Sequence, residues 1–224
     1  MQLAPKFTYG SMISFREALS KFLPPRAADY DFVGYEALIG FIKQRGLQKL
    51  EGDMIEIGAF MGGGTAKLAK FAQKCDKKVY VIDVFDPTLD KTRSKSGVEA
   101  CEVYQAFLKG RSMLEVYQET TQGSDNIVTI KEDSMKVKFP KEQKFVFGFV
   151  DGCHQLAYVR NDFHIIWPHL VSGGAIGFHD YRFDDWPEVT PAVDELIGEH
   201  KNEIGKMYEI EGKYGILSIL LIKK

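Results

Sequence analysis

Residues 53–65 read DMIEIGAFMGGGT, and the rest of the chain is understood outward from them. Met54, Ile55 and Ile57 form a short apolar run of the kind a buried parallel strand needs. Gly58 interrupts it. Gly62, Gly63 and Gly64 follow, and Thr65 opens a helical pattern through Ala66, Leu68, Ala69 and Phe71. Strand, glycine-rich turn and helix, in that order, make the phosphate or nucleotide side of a βαβ unit. A dinucleotide fingerprint requires G-x-G-x-x-G, and Phe60 stands where its second glycine would be. A plain glycine turn with no ligand fits the same letters.

The chain has 224 residues, which suits one large α/β domain over 1–224. Hydrophobic residues make up 45%, enough for a sizeable core. A net charge of −2 gives no general attraction to nucleic acid or to an acidic membrane, so neither is expected as a partner. Cys75, Cys101 and Cys153 have no zinc spacing and cannot all pair, which points to a reducing, cytoplasmic setting. The first residues read as no signal peptide. The apolar stretch Ile216–Ile222 is too short to cross a bilayer and reads as a final strand.

Residues 1–45 form an N-terminal helical segment in this reading. Phe15, Ala18, Leu19 and Phe22 sit at helical spacing before Pro24-Pro25, and two roles are open to them: a cap over the site or a helix packed on the sheet. From Asp31, the residues Val33, Ala37, Leu38, Phe41 and Ile42 predict an amphipathic helix stopped by Gly46. Val79, Val81 and Ile82 predict a second strand ending in Asp83, followed by a polar loop over 84–96. Val98–Gln118 is helical with a break at Gly110, and Asn126–Ile130 is a third strand leading to Asp133 and Ser134. Phe145–Val150 is a fourth strand ending at Asp151. Leu156, Val159, Phe163, Ile166 and Leu170 then predict one helix, Gly173-Gly174 a turn, and Ala175–Phe178 a fifth strand ending at His179-Asp180. Thr190-Pro191 reads as N-cap and first helical position. Strands near Met207–Ile210 and Gly215–Ile222 complete the alternation.

In an open α/β sheet, ligands bind outside the carboxyl ends of the strands. Gly58, Asp83, Asp133, Asp151 and His179-Asp180 all fall at predicted strand ends, so they converge on one rim. Asp83 lies about twenty residues past the glycines, where such folds place an acid on the ribose hydroxyls. Asp151, His179 and Asp180 offer two carboxylates and an imidazole, a set that can hold Mg²⁺ or Mn²⁺, with Fe²⁺ and Zn²⁺ also open. His154, three residues after Asp151, suits a general base at neutral pH; a helix-start histidine bonded to backbone is the plainer alternative. His164, His169 and His200 read as structural or surface residues.

The order Glu56-x-Gly58-x-x-x-Gly62 resembles motif I of class I S-adenosylmethionine (SAM) methyltransferases. Residues 151–181 carry D-G-x-H, a helix with Tyr158 and Asp162, then W-P-x-L-x-x-G-G and H-D-Y. Together they resemble the macrocin O-methyltransferase-like group and, more distantly, the catechol O-methyltransferase class. The resemblance covers about residues 30–222. It implies a Rossmann-like, seven-stranded, mostly parallel sheet with helices on both faces. It also implies SAM contacts from Glu56, Gly58, Ala59, Phe60, Gly62, Gly64, Thr65 and Asp83, with Asp133 and Ser134 beside adenine and Asp151 at the cofactor's edge. Asp151 and Asp180 would bind the metal, and Asp151 and His154 would carry the catalysis. Two residues depart from the group: Cys153 replaces a second acid, and His179 an acidic residue found in many relatives. The expected activity is metal-assisted O-methylation of a sugar or polyhydroxylated natural product, a small-molecule hydroxyl acceptor. Metal-free N-methylation, a nucleotide-binding oxidoreductase and a non-catalytic SAM-fold protein are the alternatives. The sequence leaves the assembly open, a homo-oligomer included.

Overall fold

The computed structural model describes residues 30–224. The predicted N-terminal helical spacing at Phe15–Phe22 and the Pro24-Pro25 stop lie outside the described residues. Of the segment 1–45, the described part contains helix α1 (Tyr35–Arg45), which ends at Gly46 in the left-handed conformation, φ 71°. Asp31 starts this helix by accepting the amides of Gly34 at 2.7 Å and Tyr35 at 3.0 Å. Strand β1 (Asp53–Ile57) and helix α2 (Gly63–Gln73) follow, then β2 (Val79–Asp83). The predicted long helical insertion is two helices, α3 (Ala100–Leu108) and α4 (Met113–Thr121), parted at Lys109 and Gly110, both at positive φ. Next come β3 (Ile127–Lys131), β4 (Phe145–Val150), α5 (Leu156–Ile166), β5 (Leu170–Tyr181), α6 (Val189–Glu199), β6 (Ile204–Glu211) and β7 (Leu217–Lys223).

The strands form one seven-stranded sheet in the order β3-β2-β1-β4-β5-β7-β6. The first five run parallel, whereas β7 pairs antiparallel with both β5 and β6. Alternation along β1 divides the core. Met54 joins Leu38, Ile42, Leu68 and Tyr117 on one face, while Ile55 and Ile57 join Phe163, Ile166 and Leu196 on the other. Helices therefore cover both faces, as an all-buried parallel sheet demands. Among the described residues, no helix is long and apolar enough to cross a membrane.

Three local expectations are corrected. Helix α5 stops at Ile166, a 3-10 turn spans Trp167–His169, and Leu170 already belongs to β5. Gly173-Gly174 is no turn between elements. Phe145 pairs with Leu170 and Phe147 with Ala175, so the intervening residues bulge from the strand, with Gly173 at φ 79°. Thr190 does not cap α6. Its hydroxyl accepts the Arg182 amide at 2.8 Å, and the helix begins at Val189 after Glu188. Pro191 remains in the first turn, where an amide has no intrahelical partner to lose.

Candidate active site

The glycine loop is shaped first by protein contacts. Gly58 lies at φ 88°, and a Cβ there would collide with the carbonyl of Asp151. A Cβ on Gly64 would collide with the ring of Tyr35. These glycines bring β1 and α2 against their neighbours. Beneath the loop, Tyr35 Oη and Thr65 Oγ1 each donate to the Glu56 carboxyl. Glu56 is buried, and burial pushes its pKa up to about 8 despite the two hydrogen bonds.

Asp83 ends β2 as predicted, but its oxygens are already engaged. Oδ2 accepts the amides of Ala59 at 2.8 Å and Phe60 at 3.0 Å, and Oδ1 accepts that of Phe85 at 2.6 Å. It clamps the glycine loop to the loop after β2. Phe60, at φ 50°, takes the left-handed conformation beside that clamp. Asp133 caps a short turn through the Met135 amide at 3.0 Å, and Tyr158 Oη reaches its other oxygen at 3.4 Å.

These residues enclose a cavity of about 610 Å³ at the carboxyl ends of the parallel strands, a size and place usual for a small-molecule site. Of the predicted cofactor residues, its wall includes Glu56, Gly58, Ala59, Phe60 and Gly64, together with Asp83, Asp133, Ser134 and Asp151. Gly62 and Thr65 stand behind the wall, Thr65 fully buried against Glu56.

The predicted acid–histidine cluster lines the same cavity. In a regular strand His179 and Asp180 would face opposite sides of the sheet. Here Asp180 adopts φ 57°, and the pairing with β7 shifts register between Phe178 and Tyr181. The break turns both side chains inward, at the roughly 1–3 kcal/mol cost of a left-handed non-glycine residue. His179 Nδ1 lies 3.1 Å from Asp151 Oδ1 and 3.2 Å from Asp180 Oδ2. Burial opposes the charged imidazole, but these two carboxylates prevail and raise its pKa to about 10. His154 Nε2 meets Asp180 Oδ2 at 3.0 Å, and its ring stacks on Trp186 at 4.3 Å. Its pKa is also raised: burial lowers it, and the bond to Asp180 with the charges of Asp180, Asp151 and Asp90 outweighs that.

Asp151, His154 and Asp180 place one ligand atom each within 4.8 Å of one another. His179, the imidazole of the expected ligand set, keeps Nδ1 within 3.2 Å of both carboxylates, and His154 joins the same two acids as a second imidazole. Cys153 sits 3.6 Å from Thr92 Oγ1, and burial pushes its thiol up to about 11, so it supplies no thiolate at neutral pH. Sequence reasoning missed Asp90, Tyr104 and Trp186. Asp90 is in the polar loop after β2, where no period marks it, and its carboxylate comes to 3.9 Å from His154 Nδ1.

The family model described as a methyltransferase domain matches residues 55–181, which run from β1 through the His179-Asp180 turn. The chain belongs to the methyltransferase domain family. It accordingly carries a methyltransferase domain, and its sheet is that of the class I fold. The O-methyltransferase NovP superposes with a TM-score of 0.60 at 15% identity, over 85% of this chain and 79% of that one. CalS11, a TDP-rhamnose 3'-O-methyltransferase of calicheamicin biosynthesis, gives 0.56 at 14%, over 83% and 76%. The N-methyltransferase NodS from Bradyrhizobium japonicum WM9, in complex with S-adenosylhomocysteine, gives 0.53 at 14%, over 94% and 96%. At these identities the likeness is one of fold. A protein of Acanthamoeba polyphaga mimivirus, uncharacterized protein R132, is 40% identical over 52 residues, and the match spans 24% of its length and 23% of this methyltransferase.

Proposed function

We propose that this methyltransferase acts on a hydroxyl of a sugar or polyhydroxylated small molecule, with His154 as general base. The observation that carries the reading is the His154–Asp180 pair, 3.0 Å apart, on the wall of the cavity that the glycine loop also lines. Asp180 fixes the imidazole through Nε2, and Trp186 fixes its plane. Among the described residues Nδ1 has no hydrogen-bond partner, which leaves it to receive the hydroxyl proton as the oxygen attacks. Bound SAM supplies an electrophilic methyl group on a sulfonium sulfur. Alignment of donor and acceptor is the protein's main contribution to such a displacement. O-methylation by NovP and CalS11 supports the choice of a hydroxyl.

Two carboxylates and an imidazole suit a divalent ion such as Mg²⁺ or Mn²⁺, so the donor set fits a metal held by Asp151 and Asp180. Such an ion would supply positive charge beside the oxygen that loses its proton. The convergence of His154 with both acids favours a second reading, in which His154 is the third ligand. His154→Ala separates the two. As base, its loss lowers the methyl-transfer rate by about 10²–10⁴-fold and leaves the metal content measured by equilibrium dialysis unchanged. As ligand, bound metal falls with the rate. Full activity after verified metal removal would discard the ion and leave the His154–Asp180 pair alone.

A further inference from the structure

Asp90 stands apart from the other acids of the cavity. Asp83 accepts three backbone amides, and Asp151 and Asp180 face His179. Asp90 Oδ1 accepts the Thr92 amide at 2.9 Å, and Oδ2 takes only a long contact from Tyr104 Oη, 3.3 Å. No lysine or arginine pairs with it among the described residues. Opposite it, 3.9 Å away, is His154 Nδ1, buried and without a hydrogen-bond partner among the described residues. That separation is too long for a direct hydrogen bond, and it leaves an acceptor atom and a ring nitrogen facing one another across the cavity wall.

We infer that Asp90 reads a hydrogen-bond donor on the acceptor, a hydroxyl or an ammonium borne by a carbon next to the hydroxyl that is methylated. The inference rests on the reading of His154 as base. A hydroxyl delivering its proton to Nδ1 places its neighbouring substituent within reach of Asp90 Oδ2. A carboxylate there can only accept, so it selects donors. The charge of the wall points the same way. Lys91 is the sole lysine or arginine among the described lining residues, against Asp86, Asp90, Glu132, Asp133 and Asp151. An acceptor bearing a phosphate beside the reacting hydroxyl would meet like charge at Asp90, set against only Lys91 and a His179 imidazole already paired with Asp151 and Asp180.

The test uses the whole chain saturated with S-adenosylhomocysteine and three probes on one ring: glucosamine, glucose and glucose 6-phosphate. Affinities are measured by calorimetric or NMR titration for the wild type and for Asp90→Asn, which keeps the oxygen that accepts the Thr92 amide. The wild type is expected to bind glucosamine or glucose and to reject glucose 6-phosphate. Asp90→Asn is expected to weaken the bound probe by about tenfold to a hundredfold, the range for a hydrogen bond to a charged group. A loss confined to glucosamine identifies an ammonium as the donor, and an equal loss for glucose identifies a hydroxyl. Unchanged affinities in a variant of normal melting temperature overturn the assignment. So does preference for glucose 6-phosphate, or binding of no probe while S-adenosylhomocysteine binds normally. Absence of S-adenosylhomocysteine binding by the wild type would instead remove the underlying methyl-transfer reading.

Discussion

Glu56 carries the fold's most direct single-residue prediction. Its carboxyl is buried and receives two hydroxyl donors, and burial lifts its pKa from 4.5 to about 8. Between those values the folded chain holds a proton that the unfolded chain has lost. The contribution to stability is therefore full below pH 4.5 and declines as pH rises through about 8. Glu56→Gln removes that titration. Urea unfolding at pH 5, 7 and 9 should show the variant gaining steadily on the wild type as pH rises. Parallel curves would mean that Glu56 is ionised in the fold at neutral pH. The sequence placed Glu56 and Thr65 in one motif, but Tyr35, which holds the other oxygen of Glu56, arrives from a separate helix and forms no motif with them. Asp83 has the same history. Its position at a strand end was legible, and its backbone partners were not, because amide contacts depend on loop conformation rather than side-chain spacing.

At the scale of elements, Asp31 joins three segments that are far apart in sequence. It caps α1, accepts Lys67 Nζ of α2 at 2.6 Å, and its own carbonyl receives Lys213 Nζ from the β6–β7 connection. Burial would raise the Asp31 pKa, and the Lys67 ammonium with the two capping amides outweighs it, so the pKa is lowered. The associated stability is present above the unfolded value near 4 and is lost as pH falls through the folded one. Asp31→Ala should cost about 1–3 kcal/mol at pH 7, combining a lost cap with lost charge-assisted bonds. Its deficit should shrink at pH 3; an equal deficit at both pH values would mean that the carboxylate's charge contributes nothing. The elements themselves were largely readable, since apolar runs and helical spacing mark β1, β2, β4, α2 and α5. Errors fell where one letter serves two geometries. Gly173-Gly174 suits a bulge as well as a turn, and Thr190 capped nothing because Arg182 had claimed its hydroxyl.

For the whole molecule, the glycine loop, Asp83 and the cavity together predict SAM in preference to NAD. Calorimetry should detect S-adenosylhomocysteine and give no signal with NAD, and binding of NAD alone would refute the cofactor assignment. The strand order has a temporal side as well. β7 lies between β5 and β6 in the sheet although it follows both in the chain. A ribosome therefore delivers β6 before the strand that must separate it from β5. Until residues 217–223 leave the exit tunnel, the nascent chain carries β5 with one row of backbone donors and acceptors unpaired, next to the apolar side chains of Ile176 and Phe178. The hairpin that Lys213 fastens to Asp31 cannot close earlier either. During translation this edge is where chaperones would find the protein, and where a stalled chain would aggregate.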